Sequence, residues 1–251
     1  MKILIACDGS VSSDSAIEDM RRAGLPQDAK AFVVSIAGEA AKAVAGTPGD
    51  RIQSHFPQWK LSSEAFSGSP AEVILKTSGW WRPDLLIIGS DTFAFERSLT
   101  SSVSLDVVHR ARCSVRVART GVPAPATSGP IRLLIGHNGS KACEAVIHEV
   151  ARRCWPENTE AHVISVVDTR SPRTAEEDCV NRLRGAGLIV RRRFIDGDPR
   201  QALLRESERC NADAIFVAPH CLNGMERFLL GSVATAVVTR ARSTVEVVRQ
   251  N

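Results

Sequence analysis

The stretch Lys2-Ile3-Leu4-Ile5-Ala6-Cys7-Asp8-Gly9-Ser10 decides the fold, because it returns as Arg132-Leu133-Leu134-Ile135-Gly136-His137-Asn138-Gly139-Ser140. Working outward, Gly68-Ser69-Pro70 returns as Gly197-Asp198-Pro199, and Pro83 to Gly89 returns as Ala212 to Ala218. Val103 followed by Val107-Val108 returns as Val233 followed by Val237-Val238. The offset between partners stays at 129 or 130, as Gly68 to Gly197 and Lys2 to Arg132 show. A constant offset of that size is too long for a solenoid repeat and means two copies of one folding unit. The copies span residues 1–120 and 130–251, joined by a Pro- and Gly-rich linker at 121–129. Each copy, about 120 residues, is large enough to bury its own core.

Each copy opens on an aliphatic run, Ile3 to Ala6 or Leu133 to Gly136, which reads as a buried parallel strand. A helix follows, with Ala16, Ile17 and Met20 in one copy and Val146, Ile147 and Val150 in the other spaced to cover one face. Second strands are expected at Ala31 to Ile36 and Ala161 to Val167. Between second and third strands a helix is expected around Ala175 to Ala186, but only a fragment in the first copy, where Gly46, Pro48, Gly49 and Pro57 interrupt. Third strands end near Phe66 and Ile195. Helices at Ala71 to Ser78 and Arg200 to Cys210 lead to fourth strands at Leu85 to Ile88 and Ala214 to Val217. A loop, a helix from Ser102 or Ser232, and a last strand (Ser114 to Ala118, Thr244 to Val248) close each unit. Alternating strands and helices predict an α/β fold: two doubly wound domains, each a five-stranded parallel sheet flanked by helices.

Composition narrows the function. A net charge of +4 with no aromatic-interleaved basic stripe argues against nucleic acid. Arg191-Arg192-Arg193 is the densest basic run and reads as one strand with a solvated edge. No apolar stretch reaches the length of a membrane span. Seven cysteines make an odd count without CxxC spacing, so no disulfide framework is expected; Cys7 and Cys113 read as small hydrophobes. Together with the lack of a signal peptide, this points to a cytoplasmic protein.

In an open parallel sheet the ligand crevice lies beyond the carboxyl ends of the strands, where the winding reverses. Two loops point there in each copy. One follows the first strand and carries Asp8 or Asn138; the other runs from Gly89 to Ser102, or from Ala218 to Ser232. The second loop ends on a helix start, where free N–H groups favour an anion. Ser101, Ser102 and Ser232 add hydroxyl donors there.

At these residues the chain resembles the universal stress protein (Usp) family, twice and over nearly its whole length. The family pattern is an acidic residue after the first strand, then Gly-x2-Gly-x9-Gly-[Ser/Thr] before the last helix. The resemblance implies a Rossmann-like, adenine nucleotide alpha hydrolase-like fold and an adenine-nucleotide pocket, typically for ATP. On this chain the implied binding positions in the first copy are Ala6, Cys7, Asp8, Ser10, Ser35, Ile36, Gly89, Thr92, Ser101, Ser102 and Val103. In the second copy they are Asn138, Val166, Gly231 and Ser232. Asp8 would contact the nucleoside, the Ser35-Ile36 backbone would flank the adenine, and the loop would hold phosphates. The departures matter too. Thr92 and Ser101 replace glycines in the first copy, while Asn138, Ala218 and Cys221 depart from the pattern in the second. Both pockets are therefore expected to be degenerate.

Catalytic machinery is not expected. No Walker A lysine follows either loop; Arg97 and Arg227 hold corresponding places but read as exposed loop residues. His137 and His220 lack a placed third metal ligand. Ser10 and Ser140 read as helix N-caps rather than nucleophiles. The resulting expectation is a stress-response regulatory or binding protein rather than a catalyst. One alternative is an ATP sensor using the first copy. Another is an ATP-consuming enzyme, because Asp8-Gly9-Ser10 with Ser12, Ser13 and Asp14 is similar to the serine-rich PP-loop turn. The alternating last strands invite edge pairing, through which family members commonly dimerise, so the two copies are expected to pair within the chain. Arg116 and Glu246, at equivalent positions, would then face each other.

Overall fold

The computed structural model describes residues 1–36, 47–90, 103–120, 129–166, 175–219 and 230–250. It separates into two compact units, within residues 1–124 and 125–250. The first contains β1 (Lys2–Cys7), α1 (Val11–Met20), β2 (Lys30–Ile36), α2 (Pro48–His55), β3 (Lys60–Phe66), α3 (Pro70–Trp81), β4 (Leu85–Ser90), α4 (Val103–Arg110) and β5 (Ser114–Arg119). The second contains β6 (Arg132–His137), α5 (Lys141–Ala151), β7 (Glu160–Val166), α6 (Ala175–Gly185), β8 (Ile189–Ile195), α7 (Pro199–Arg209), β9 (Ala214–Val217), α8 (Ser232–Arg240) and β10 (Thr244–Val247).

The strand order is β3-β2-β1-β4-β5 in the first unit and β8-β7-β6-β9-β10 in the second, all neighbours named being parallel. This is the doubly wound Rossmann-like arrangement, in which the winding reverses between β1 and β4, or between β6 and β9. The central strands are apolar throughout because helices cover both faces: Ile3, Leu4, Ile5, Leu85, Leu86 and Ile87 are fully buried, as are Leu133, Leu134 and Ile135. The outer strands β3 and β8 are mostly exposed and correspondingly polar. Within β8, Arg191 pairs with Glu160, Arg193 pairs with Glu206, and Arg192 lies over the Phe194 ring.

Helix α2 is the short helix expected, but Pro48 and Gly49 begin it rather than interrupt it. Thr47 and Asp50 form a reciprocal capping box, and Pro48 sits where its missing N–H costs nothing. Helix α3 runs on to Trp81 rather than ending near Ser78, because Trp80 and Trp81 both pack on Phe32, with ring centroids 5.7 Å away. It stops at Arg82, which takes the left-handed conformation with φ 50°.

Each core holds a distinctive aromatic contact. Phe56 stacks on Trp59 at 4.0 Å in the first unit, and Trp155 meets Phe216 edge-on at 6.1 Å in the second. Each core also holds a buried cation. Arg116 on β5 grips Asp19 of α1 through two bonds, Nε to Oδ2 at 2.6 Å and Nη2 to Oδ1 at 3.1 Å. In the second unit Arg153 bridges Glu149 and the fully buried Glu246, with Nη1 to Glu246 Oε2 at 3.0 Å.

Candidate functional site

The turn after the first strand has one architecture in both units. Asp8 Oδ1 accepts from the Ser10 N–H at 3.0 Å, and Asn138 Oδ1 accepts from the Ser140 N–H at 3.1 Å. Between them Gly9 and Gly139 take φ values of 75° and 76°, which a side chain would strain. Ser10 Oγ then accepts from the Ser13 N–H, and Ser140 Oγ from the Cys143 N–H, capping α1 and α5. The N-cap role read from the sequence is therefore what these serines do.

This shared turn inverts the polarity of one group. A backbone N–H must meet an oxygen, so Oδ1 is the Asn138 atom engaged in the turn. The remaining atom of the side chain is therefore an NH2 donor at Asn138 and a carboxylate oxygen at Asp8.

The structure brings Ala6, Cys7, Asp8, Ser10, Ser35, Ile36 and Gly89 together at the carboxyl edge of β1, β2 and β4, with Cys7 paired to Ser35 in register. Val103 is the first residue of α4. Thr92, Ser101 and Ser102 lie outside the described residues, as do Arg97, His220, Cys221 and Arg227. The Cys7 thiol is pushed up to about 12, chiefly by burial and further by the negative charges of Asp8 and Asp14. It is protonated at neutral pH and is not a nucleophile.

Gly89 serves a purpose the sequence does not reveal. A Cβ there would lie 2.0 Å from the Ser12 carbonyl oxygen, so the first turn of α1 sits directly on the end of β4. The second unit has Ala218 at this position. A cavity of about 200 Å³ opens there, lined among others by Gly136, Asn138, Cys143, Val166, Leu203 and Gly231. Of the expected second-copy positions, Asn138, Val166 and Gly231 line it, while Ser232 opens α8 and is exposed.

Several residues of the two crevices escaped the sequence reading. Ser90, Ser104 and Arg119 cluster at the mouth of α4: Arg119 Nη1 donates to Ser90 Oγ at 3.0 Å, and Ser104 Oγ to Ser90 Oγ at 3.1 Å. Burial draws the Arg119 pKa down to about 10, still charged at neutral pH. The repeat offset places Pro219 and Ala234 opposite these serines, and both line the second cavity. That alignment was available in the sequence. It would have shown that the hydroxyls of Ser90 and Ser104 have no counterparts at Pro219 and Ala234.

His137 sits in a different constellation from the metal set considered above. Its Nδ1 accepts from the Gly139 N–H at 3.3 Å and its Nε2 lies 3.5 Å from Cys179 Sγ. Cys143 Sγ lies 3.1 Å from Asn138 Oδ1. Among the described residues no three His, Cys, Asp or Glu side chains are placed to hold a metal ion, and no helix is long and apolar enough to cross a membrane.

Known proteins give the same picture. The family model described as "Universal stress protein family" matches residues 1–119 and 172–249. A universal stress protein of Mycobacterium tuberculosis is 29% identical over 212 residues, covering 76% of this chain and 70% of its own length; one from Mycobacterium bovis matches equally. Among solved structures, a universal stress protein from Archaeoglobus fulgidus has a TM-score of 0.68 at 20% identity, covering 100% of this chain and 96% of that one. A protein from Pseudomonas aeruginosa titled a universal stress protein has a TM-score of 0.65 at 14% identity, covering 99% and 92%. At such identities these structures speak for the fold alone. The family model spans well over half of the residues, in both copies, and the chain belongs to the universal stress protein family.

Proposed function

We propose that the chain is a cytoplasmic stress-response binding protein. It takes a small molecule of the adenine-nucleotide class into a degenerate crevice and passes its state to a protein partner, without turning the ligand over. The observation that carries this reading is the carboxylate of Asp8. Oδ1 accepts the Ser10 N–H, and the exposed side chain follows β1 at the carboxyl edge of the sheet, where a carboxylate can accept from a nucleoside. The absence of turnover is supported by what the candidate nucleophiles are doing. Ser10 and Ser140 cap helices, Ser13 Oγ donates to the Ser10 carbonyl, and the Cys7 thiol is held protonated.

A second reading, an ATP sensor working through the first crevice, is favoured by the Ser90, Ser104 and Arg119 cluster at the mouth of α4, which suits a phosphate. Thermal melts with ATP, ADP and AMP separate the two. A ligand at one hundred times its Kd adds about 2.7 kcal/mol to native stability. For the sensor, ATP raises the melting temperature by several degrees and Asp8→Ala removes most of the rise. An equal rise in Asp8→Ala removes Asp8 from the site. The PP-loop alternative requires pyrophosphate release from ATP, and an assay across nucleophilic acceptors that stays at the no-enzyme rate eliminates it.

A further inference from the structure

Asn138 is followed by Gly139, and the groups around this pair are those that hydrolysing its side-chain amide requires. On one side the Gly139 backbone N–H donates to His137 Nδ1 at 3.3 Å, a contact that needs to tighten only slightly for proton transfer. On the other side two donors converge on Asn138 Oδ1: the Ser140 N–H at 3.1 Å and the Cys143 thiol at 3.1 Å. Negative charge develops on that oxygen when Cγ is attacked, and donors fixed in advance stabilise it. Gly139 brings no Cβ to its own nitrogen, and nothing lies within 4 Å of where one would be.

We propose that the second unit modifies itself, converting Asn138 to aspartate through a cyclic imide with Gly139. His137 acts as base, and the Ser140 N–H and Cys143 S–H serve as the oxyanion donors. His137 Nδ1 takes the proton from the Gly139 nitrogen as that nitrogen bonds to Cγ. The Cγ–Nδ2 bond then breaks, and His137 returns the proton to the departing ammonia. Water adds to the imide at Cγ, the new N–Cγ bond breaks, and the Gly139 nitrogen regains its proton. The sum is one water consumed and one ammonia released, with no oxidant, reductant or metal.

The product is Asp-Gly-Ser, the turn that the first unit already carries at Asp8-Gly9-Ser10. The reaction therefore replaces a donor at the edge of the second cavity with a negatively charged acceptor, changing which ligands that cavity takes. In the first unit Cys7 stands where His137 stands, and the acid is already in place. The inference rests on the bonds around Asn138 and is independent of the nucleotide reading.

The test is the rate at which Asn138 is lost in the full-length protein, followed by peptide mapping with mass spectrometry at neutral pH. Samples are kept folded or unfolded in urea, and Asn223-Gly224 of the same chain calibrates the unfolded rate of this dipeptide. Folding ordinarily slows such reactions. Here the folded chain reacts faster than the unfolded one, by about a hundredfold, the low end of what a placed base supplies. His137→Gln abolishes the acceleration. Cys143→Ala, which removes an oxyanion donor without removing the base, also slows it and serves if His137→Gln does not fold. A folded rate at or below the unfolded one overturns the proposal, as does a folded His137→Gln or Cys143→Ala that reacts like wild type.

Discussion

The carbonyl oxygen of Ser12 lies 2.0 Å from the point a Cβ on Gly89 would occupy. That contact seats α1 on the end of β4 and distinguishes the two units. Because the obstacle is backbone, Gly89→Ala forces the helix to move and costs at least about 3 kcal/mol, the upper part of the overpacking range. Ala218→Gly in the second unit adds backbone freedom, removes a partly buried methyl packed on the core, and costs about 1 kcal/mol. Urea denaturation of the two variants decides; a Gly89→Ala protein within 1 kcal/mol of wild type would mean α1 is not seated there.

Arg153 is almost wholly enclosed between Glu149 and Glu246, with its guanidinium 5.4 Å from the Phe216 ring centroid. Replacing it with Met keeps much of the volume but leaves Glu246 buried with less compensation. The expected loss is about 3 kcal/mol, whereas Arg153→Met together with Glu246→Leu recovers a large part of it. Chemical denaturation of the single and double variants measures both. Equal losses in the two would show that packing, rather than charge, holds this site.

Asp198 is held down to about 2, mainly by the Arg200 side chain and also by the Arg200 N–H it caps. Its folded pKa is below the unfolded 3.8, so the stability it lends is present above that value and lost as pH falls toward 2. Asp198→Asn still caps α7 but loses the charge. Melting curves of variant and wild type differ most above pH 4 and converge near pH 2; a gap independent of pH would assign the effect to something other than this carboxylate.

Cys7 behaves in the opposite sense. Its folded pKa lies above the unfolded 9.0, so its contribution is intact below that pH and lost as the solution is raised toward about 12. Cys7→Ala flattens that alkaline decline. Alkylation at pH 8 should reach Cys154, which is exposed, well before Cys7, Cys113, Cys143, Cys179 or Cys210, all buried. Mass spectrometry after brief iodoacetamide treatment reads the order, and early modification of Cys7 would contradict its protonated, enclosed state.

Strands were the most legible part of the chain. Ile3 to Ala6 and Leu85 to Ile88 are continuous aliphatic runs between turn residues, and only a doubly covered sheet centre asks for that. Helix ends were less so. Pro48-Gly49 looks like a break until Thr47 and Asp50 are seen to cap the helix in front of it. The end of α3 depends on Trp80 and Trp81 finding Phe32, a long-range contact that no local pattern announces. At the crevices, Asp8, Asn138 and their serines could be read because a turn is local. The open cavity of the second unit could not, since residues from separate strands and helices line it and only the fold brings them together.

The tryptophans offer a last consequence. Trp59, Trp80 and Trp81 belong to the first unit, and Trp155, edge-on to Phe216, is the single indole of the second. Trp155→Phe therefore confines intrinsic fluorescence to one half of the chain, and replacing the other three confines it to the other half. Each copy comes with its own optical reporter, so the melting of either can be watched without any added dye.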